Sequence, residues 1–301
     1  MNYQPLIVVV DDNHRILENF QDASAGQNVN IEVFETWDLA QQYLESIEGV
    51  DGLILDAKGK LTADRQESEA HLQQALKWVS KQEGKNRIIP YAIHTAYYDD
   101  LDTFSEELAA GKMFKKRPNS EAQVLDFLKT EIEKTPKLKI INQYPEPFQC
   151  FGSKYLDRRY ENLLLSIIQV LENDQLTNPE DLLFNPCRIL LERVFEKINE
   201  VDEIVLPYAL LNFDDQRVGL VNCSKYLSGL AVTIRVDRES IEYKRRKYWE
   251  DHLSQQVQTI IKVCHPASHD IQKYSSYTFK SVLWATFDIL IWLKQFIDER
   301  K

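Results

Sequence analysis

The chain has 301 residues, with 36 Lys and Arg against 47 Asp and Glu and a formal net charge of −11. An acidic balance of this size argues against broad non-specific binding to nucleic acid, which needs a basic surface, and the length predicts two domains. No run approaches the roughly 18 uninterrupted apolar residues of a membrane span, which argues against a membrane protein. The opening residues lead straight into a strand, with no basic-then-apolar leader. The four cysteines (Cys150, Cys187, Cys223 and Cys264) form no C-x-x-C pair. Both features fit reduced, partly buried thiols in a cytoplasmic protein.

In chain order, Leu6-Ile7-Val8-Val9-Val10 is a short apolar run with four β-branched residues, ending in Asp11-Asp12. Such a run predicts a strand buried on both faces, as inside a parallel sheet. Asn13–Ala23 has helical spacing through Ile16, Leu17 and Phe20. Asn28–Phe34 alternates like a strand, and Trp37–Ile47 is helical through Leu39, Tyr43, Leu44 and Ile47. Asp51–Asp56 is a second short buried strand ending in a carboxylate. His71–Gln82 predicts a helix, Arg87–Thr95 a strand, Leu101–Leu108 a helix, Met113-Phe114 a brief strand and Ala122–Lys134 a helix. Strands alternating with helices predict a doubly wound α/β fold with a five-stranded parallel sheet and right-handed crossovers.

The polar residues that end these strands then fall on one edge, where ligands of parallel sheets bind. They are Asp11-Asp12, Asp56, His94-Thr95 and Lys115-Lys116. Strands one, three, four and five are neighbours there only in the order 2-1-3-4-5. Three carboxylates make a hard oxygen site suited to Mg²⁺. A hydroxyl and an ammonium opposite it suit a phosphoryl group, and a carboxylate such as Asp56 is able to take that group as an aspartyl-phosphate.

With these residues in place, residues 5–134 resemble the receiver domain of two-component response regulators. The resemblance implies that Asp11 and Asp12 are the family's acidic pair, Asp56 its phospho-accepting aspartate, Thr95 its switch hydroxyl and Lys116, in preference to Lys115, its signature lysine. It further implies a Mg²⁺ site made by this acidic set, with Asp12 and Asp56 binding by side chain and Lys58 by its backbone carbonyl. The phosphoryl donor it implies is a sensor histidine kinase or a phosphotransfer protein. Several features depart from the family pattern. No proline follows Asp56 closely, Lys58 places a cation beside the metal position, and Arg117 separates Lys116 from Pro118. The position commonly aromatic on strand five is Met113. The stretch from Ala57 to Glu69 is long and charged (Lys58, Lys60, Asp64, Arg65, Glu67, Glu69), and reads equally as a lid or as a solvated excursion.

Residues 135–155 contain Pro136, Pro145 and Pro147 with Tyr144, Phe148 and Phe151, and are expected to connect the receiver at 1–134 to a second domain at 156–301. Helical patterns dominate that domain: 160–171, Asp181–Ile198 with Pro186 as a candidate break, Tyr243–Val263 and Tyr274–Ile297. Val218–Val232 is ambiguous between helix and strand. The expected architecture is an all-α helical bundle serving as the output. It would bind a protein target or a second copy through apolar helix faces.

Two rival functions stay open. Lys244-Arg245-Arg246-Lys247 reads either as a nucleic-acid contact or as a solvated helix face, and the acidic total favours the latter. Arg246 (or Arg245) with His252 resembles the Arg–His spacing of helical HEPN ribonucleases, which would make the protein a phospho-gated RNase. The same spacing recurs at Arg65–His71 and Arg87–His94, inside the receiver, where it carries no such meaning. Cys264-His265 and His269 lack a second pair to complete a metal site. The other rival is a pseudo-receiver, a scaffold that takes no phosphate.

Overall fold

Five short apolar runs become five parallel strands in the computed structural model, which describes residues 3–47, 49–64, 66–84, 87–97, 112–172, 180–211, 218–236, 239–243, 247–267 and 275–300. The expected helix Leu101–Leu108, Arg65, Arg245, Arg246 and His269 lie outside the described residues, as does the side chain of His265. The chain divides into two compact units, Asn2–Gln143 and Tyr144–Lys301. The segment expected to connect two domains, 135–155, is divided between them.

The first unit runs β1 (Leu6–Val10), α1 (His14–Ser24), β2 (Asn30–Phe34), α2 (Trp37–Ile47), β3 (Gly52–Leu55), α3 (Ala70–Glu83), β4 (Tyr91–Thr95), β5 (Met113–Lys115), α4 (Ser120–Glu133) and α5 (Pro136–Gln143). The sheet order is β2-β1-β3-β4-β5, every pairing parallel, as the strand ends predicted. β1, β3 and β4 are buried along their whole length, because helices cover both faces of a doubly wound sheet. One face packs Val8, Val10, Leu53, Leu55 and Ile93 against Trp37, Leu44, Leu72 and Val79. Met113 joins this side, while Phe114 meets Phe127 of α4, ring centres 5.1 Å apart. β3 opens on glycine for a steric reason: a Cβ at Gly52 would lie 2.9 Å from Leu128 Cδ2. That contact is tighter than a side chain tolerates, so glycine lets α4 approach the sheet.

At the edge opposite the acidic strand ends, Asp51 anchors the fold. Its carboxylate accepts from the Leu6 amide at 2.7 Å and from the Tyr3 hydroxyl at 2.9 and 3.0 Å, and pairs with Lys137 of α5 at 2.7 Å.

The second unit contains α6 (Pro145–Phe148), a 3₁₀ turn (Arg158–Tyr160), α7 (Glu161–Glu172), α8 (Glu180–Val201), α9 (Tyr208–Leu211), α10 (Leu220–Leu227), β6 (Val232–Val236), β7 (Glu239–Tyr243), α11 (Asp251–Ala267) and α12 (Ser276–Asp298). α8, α11 and α12 pack on one another around Phe195, Trp249 and Leu290. Pro186 does not break α8, which runs on through it. One missing N–H costs a single helical bond, and the apolar face beyond it (Leu190, Leu191, Val194, Phe195) is fully buried.

The helices are accompanied by an antiparallel hairpin, β6 with β7. Here the expected helix Tyr243–Val263 is corrected: residue 243 ends a strand and the helix begins at Asp251. Val232 and Ile234 face inward while Thr233 faces solvent, the two-residue alternation of a strand. The buried Trp249, stacked on Phe195 at 5.8 Å, marks where the chain turns into the helix. All four cysteines are buried, free thiols. Among the described residues no helix is long and apolar enough to cross a membrane.

Candidate functional site

The register of the sheet brings the polar strand ends together. Val10 pairs with Leu55, so Asp11 and Asp56 leave their strands at the same level. Thr95 pairs with Lys115, and the Lys116 amide donates to the Thr95 carbonyl at 2.9 Å. Asp11, Asp12 and Asp56 each offer a carboxylate oxygen within 4.8 Å of the others, the only such cluster among the described residues. Lys116 enters between two of them. Its Nζ lies 2.7 Å from Asp11 Oδ2 and 2.7 Å from Asp56 Oδ2. It is Lys116, rather than Lys115, that reaches the carboxylates.

The remaining polar atoms are fixed locally. Asp11 Oδ1 accepts from the Asn13 amide at 3.0 Å, and Asn13 in turn caps α1 through the Arg15 amide. Asp56 Oδ1 accepts from the Ala57 amide at 2.7 Å. Thr95 is fully buried, and its hydroxyl oxygen accepts from the Tyr97 amide at 3.1 Å, which leaves its proton free to donate. The Lys58 ammonium sits over the Tyr97 ring, 4.1 Å from its centre.

One ammonium among three carboxylates leaves the site short of positive charge. Burial, helped by the Asp56 charge, pushes Asp11 up to about 6 in spite of Lys116. Burial pulls the Lys116 pKa down, but Asp11 and Asp56 outweigh it and the net shift is upward. Behind Lys116, burial and then the lysine charge bring His94 down to about 4. The donor set is entirely hard oxygen and under-neutralised, which fits a small divalent cation such as Mg²⁺.

Some residues at the site were not singled out by sequence. The Asp12 charge raises the pKa of the exposed Glu67 carboxyl. Its only sequence clue was its place in a long charged stretch beside a strand end. Tyr97 and Ser120 gave no clue. Of the nuclease-like spacing, Arg245 and Arg246 lie outside the described residues. His252 is exposed on the first turn of α11, 3.4 Å from Glu250, while His71 and His94 are buried in the first unit.

Response regulator receiver domains are similar to the first half of this chain. One from Methanospirillum hungatei has 17% identity and a TM-score of 0.35 over 45% of this chain and 98% of its own. A response regulator from Thermotoga maritima has 18% identity and a TM-score of 0.34 over 44% of this chain and all of its own, 100%. The phosphorylated cyanobacterial phytochrome response regulator RcpA has 19% identity and a TM-score of 0.32, covering 44% of this chain and 94% of its own. No family model and no curated protein matches the chain. The acidic cluster and Lys116 all belong to the first unit.

Proposed function

We propose that the protein is a response regulator whose receiver-like unit takes a phosphoryl group on Asp56, and whose helical unit is the output. The observation that carries this reading is the Lys116 ammonium seated 2.7 Å from both Asp11 and Asp56 at the convergent strand ends. In the proposed reaction an Asp56 oxygen attacks the phosphorus of a phosphohistidine on a sensor kinase or phosphotransfer protein. The P–N bond breaks and its electron pair leaves with the imidazole, which takes up a proton. Lys116 follows the new phosphoryl oxygens, and the Thr95 hydroxyl donates to one of them. Mg²⁺ held by Asp11, Asp12, Asp56 and the Lys58 carbonyl would supply the charge that neutralises the remaining phosphoryl oxygens. Attack of water on the phosphorus later releases phosphate and restores the carboxylate. The helical unit would respond by binding a protein target or a second copy, in the cytoplasm.

Incubation with Mg²⁺ and acetyl phosphate, read by intact mass, tests the reading: the chain should gain about 80 Da, and Asp56→Asn should gain nothing. No adduct, with either acetyl phosphate or a phosphorylated kinase, refutes phosphoryl transfer and leaves a scaffold.

A further inference from the structure

A buried ring lies under the stretch that follows Asp56, and the roles above leave it unused. His71, on the first turn of α3, is 1% exposed. Its Nδ1 lies 3.1 Å from the Gly59 amide nitrogen and 3.0 Å from the Ser68 carbonyl oxygen. Gly59 and Ser68 also pair with each other: the Ser68 amide donates to the Gly59 carbonyl at 2.9 Å, and the Gly59 amide reaches the Ser68 carbonyl at 3.3 Å. The other ring nitrogen, Nε2, is buried with no hydrogen-bond partner among the described residues. The ring therefore acts through Nδ1, and either tautomer serves. A bare Nδ1 accepts from the Gly59 amide; an Nδ1 that carries the proton donates to the Ser68 carbonyl, which also receives the Gly59 amide. Glycine lets ring and backbone come this close, because a Cβ at Gly59 would lie 3.1 Å from His71 Cε1 and 3.2 Å from Nε2.

The Gly59 amide shares its peptide unit with the Lys58 carbonyl. That unit is trans and planar, so its N–H and C=O point in opposite directions. In both tautomers the N–H is aimed at His71 and Ser68, and the Lys58 carbonyl is turned away from them. One residue further on, the Trp37 amide holds the Lys60 carbonyl at 3.2 Å, which limits rotation of the backbone between. We infer that His71 is a positioning residue: by fixing the Gly59 amide it sets the direction of the Lys58 carbonyl, the backbone oxygen read above as a ligand of the divalent ion. Aim matters for such an oxygen, because Mg²⁺ demands near-octahedral geometry. This inference rests on the divalent-ion reading of the preceding section, and adds to it the side chain that orients the backbone ligand.

Isothermal titration of the full-length chain with Mg²⁺, beside hydrogen exchange of the Gly59 amide in EDTA, tests it. His71→Leu keeps an apolar side chain in the core and removes Nδ1. His71→Asn keeps a polar atom as many bonds from the backbone as Nδ1, in an amide able to donate and to accept. His71→Leu should bind Mg²⁺ about tenfold more weakly than the wild-type chain, the low end of what losing a group behind a metal ligand costs, and His71→Asn within about threefold of it. The Gly59 amide should exchange faster in His71→Leu, and His71→Asn should reverse the change. Wild-type affinity in a folded His71→Leu overturns this inference alone, and so does equal weakening in both variants, which traces the loss to packing. If His71→Leu does not fold, Gly59→Ala displaces the ring instead, and unchanged affinity there overturns the inference. Asp12→Asn should abolish binding. Binding that survives in Asp12→Asn, or no binding by the wild-type chain, overturns both it and the divalent-ion reading.

Discussion

Asp11→Asn should stabilise the metal-free protein, and the amount follows from the site. The Asp11 pKa moves from the ordinary 3.8 to about 6. One unit is worth about 1.4 kcal/mol, so folding with Asp11 ionised costs about 3 kcal/mol more than folding with it protonated. Between these pH values the folded chain holds more protons than the unfolded one, so this contribution to stability falls as pH rises. The cost is absent below about pH 4 and complete above about pH 6. Asparagine keeps the shape of the neutral acid, so the variant should gain about 3 kcal/mol at pH 7.5 and nothing near pH 3.5.

The wild-type pH profile hides this effect, because His94 titrates in the opposite sense. Its folded pKa drops from 6.5 to about 4. The neutral ring is therefore favoured in the fold, and its stabilisation, present in full above about pH 6.5, is lost as pH falls through that window. Two comparable terms of opposite slope nearly cancel in the wild-type chain. Asp11→Asn leaves the His94 term alone, and its stability should rise by about 3 kcal/mol from pH 4 to 6.5. Urea unfolding in EDTA at several pH values measures both chains. A difference between them that does not grow from pH 4 to 6, or a variant less stable than wild type at pH 7.5, refutes the reasoning. With Mg²⁺ at about a hundred times its Kd the wild-type chain should recover about 3 kcal/mol.

At the opposite sheet edge, Asp51→Ala leaves the Leu6 amide, the Tyr3 hydroxyl and Lys137 without the carboxylate they share. It should lose about 3–5 kcal/mol in urea unfolding, with no change in the phosphoryl adduct. Lys58→Ala removes the ammonium resting on Tyr97, a contact worth about 0.5–1 kcal/mol. It should change stability by less than about 1 kcal/mol and, by opening the approach of water, shorten the lifetime of the adduct about threefold. An adduct that decays no faster than in the wild-type chain rules out shielding by Lys58.

What the sequence made legible depended on periodicity. Leu6–Val10 and Gly52–Leu55 are short, apolar and unbroken, and a run of that kind has few homes other than the middle of a parallel sheet. Once those strands are in place, a common edge for Asp11, Asp56, Thr95 and Lys116 follows from topology. The stretch from Ala57 to Glu69 has no period to read. Its order comes from a backbone pair, Gly59 with Ser68, and from a histidine ring beneath the glycine, none of which leaves a mark in composition. Asp51 looks like an ordinary residue before a strand until the fold delivers Tyr3 and Lys137 to it. The β6–β7 hairpin was missed because Tyr243 and Trp249 also fit a helical spacing.

The position of Lys116 is itself engineered by the other face of β4. Thr95 serves the acidic edge, while His94, one residue earlier, points to α1 and α4, edge-on to Phe20 at 5.3 Å. The Ser120 hydroxyl donates to the Arg117 carbonyl at 2.8 Å, which uses its single proton. The same oxygen accepts from the Arg117 amide at 3.1 Å, and His94 Nε2 lies 2.7 Å from it. Nε2 must therefore be the donor, which leaves Nδ1 as the bare acceptor. Nδ1 is the ring atom that is buried without a partner. A neutral ring tolerates this arrangement, whereas a charged one would bury a second proton with nothing to receive it, close to the Lys116 charge. The neutrality of His94 and the tight turn from Lys116 to Ser120 are thus one constraint. By closing that turn, His94 and Ser120 fix where the lysine backbone leaves β5, and hence which carboxylates its ammonium can reach.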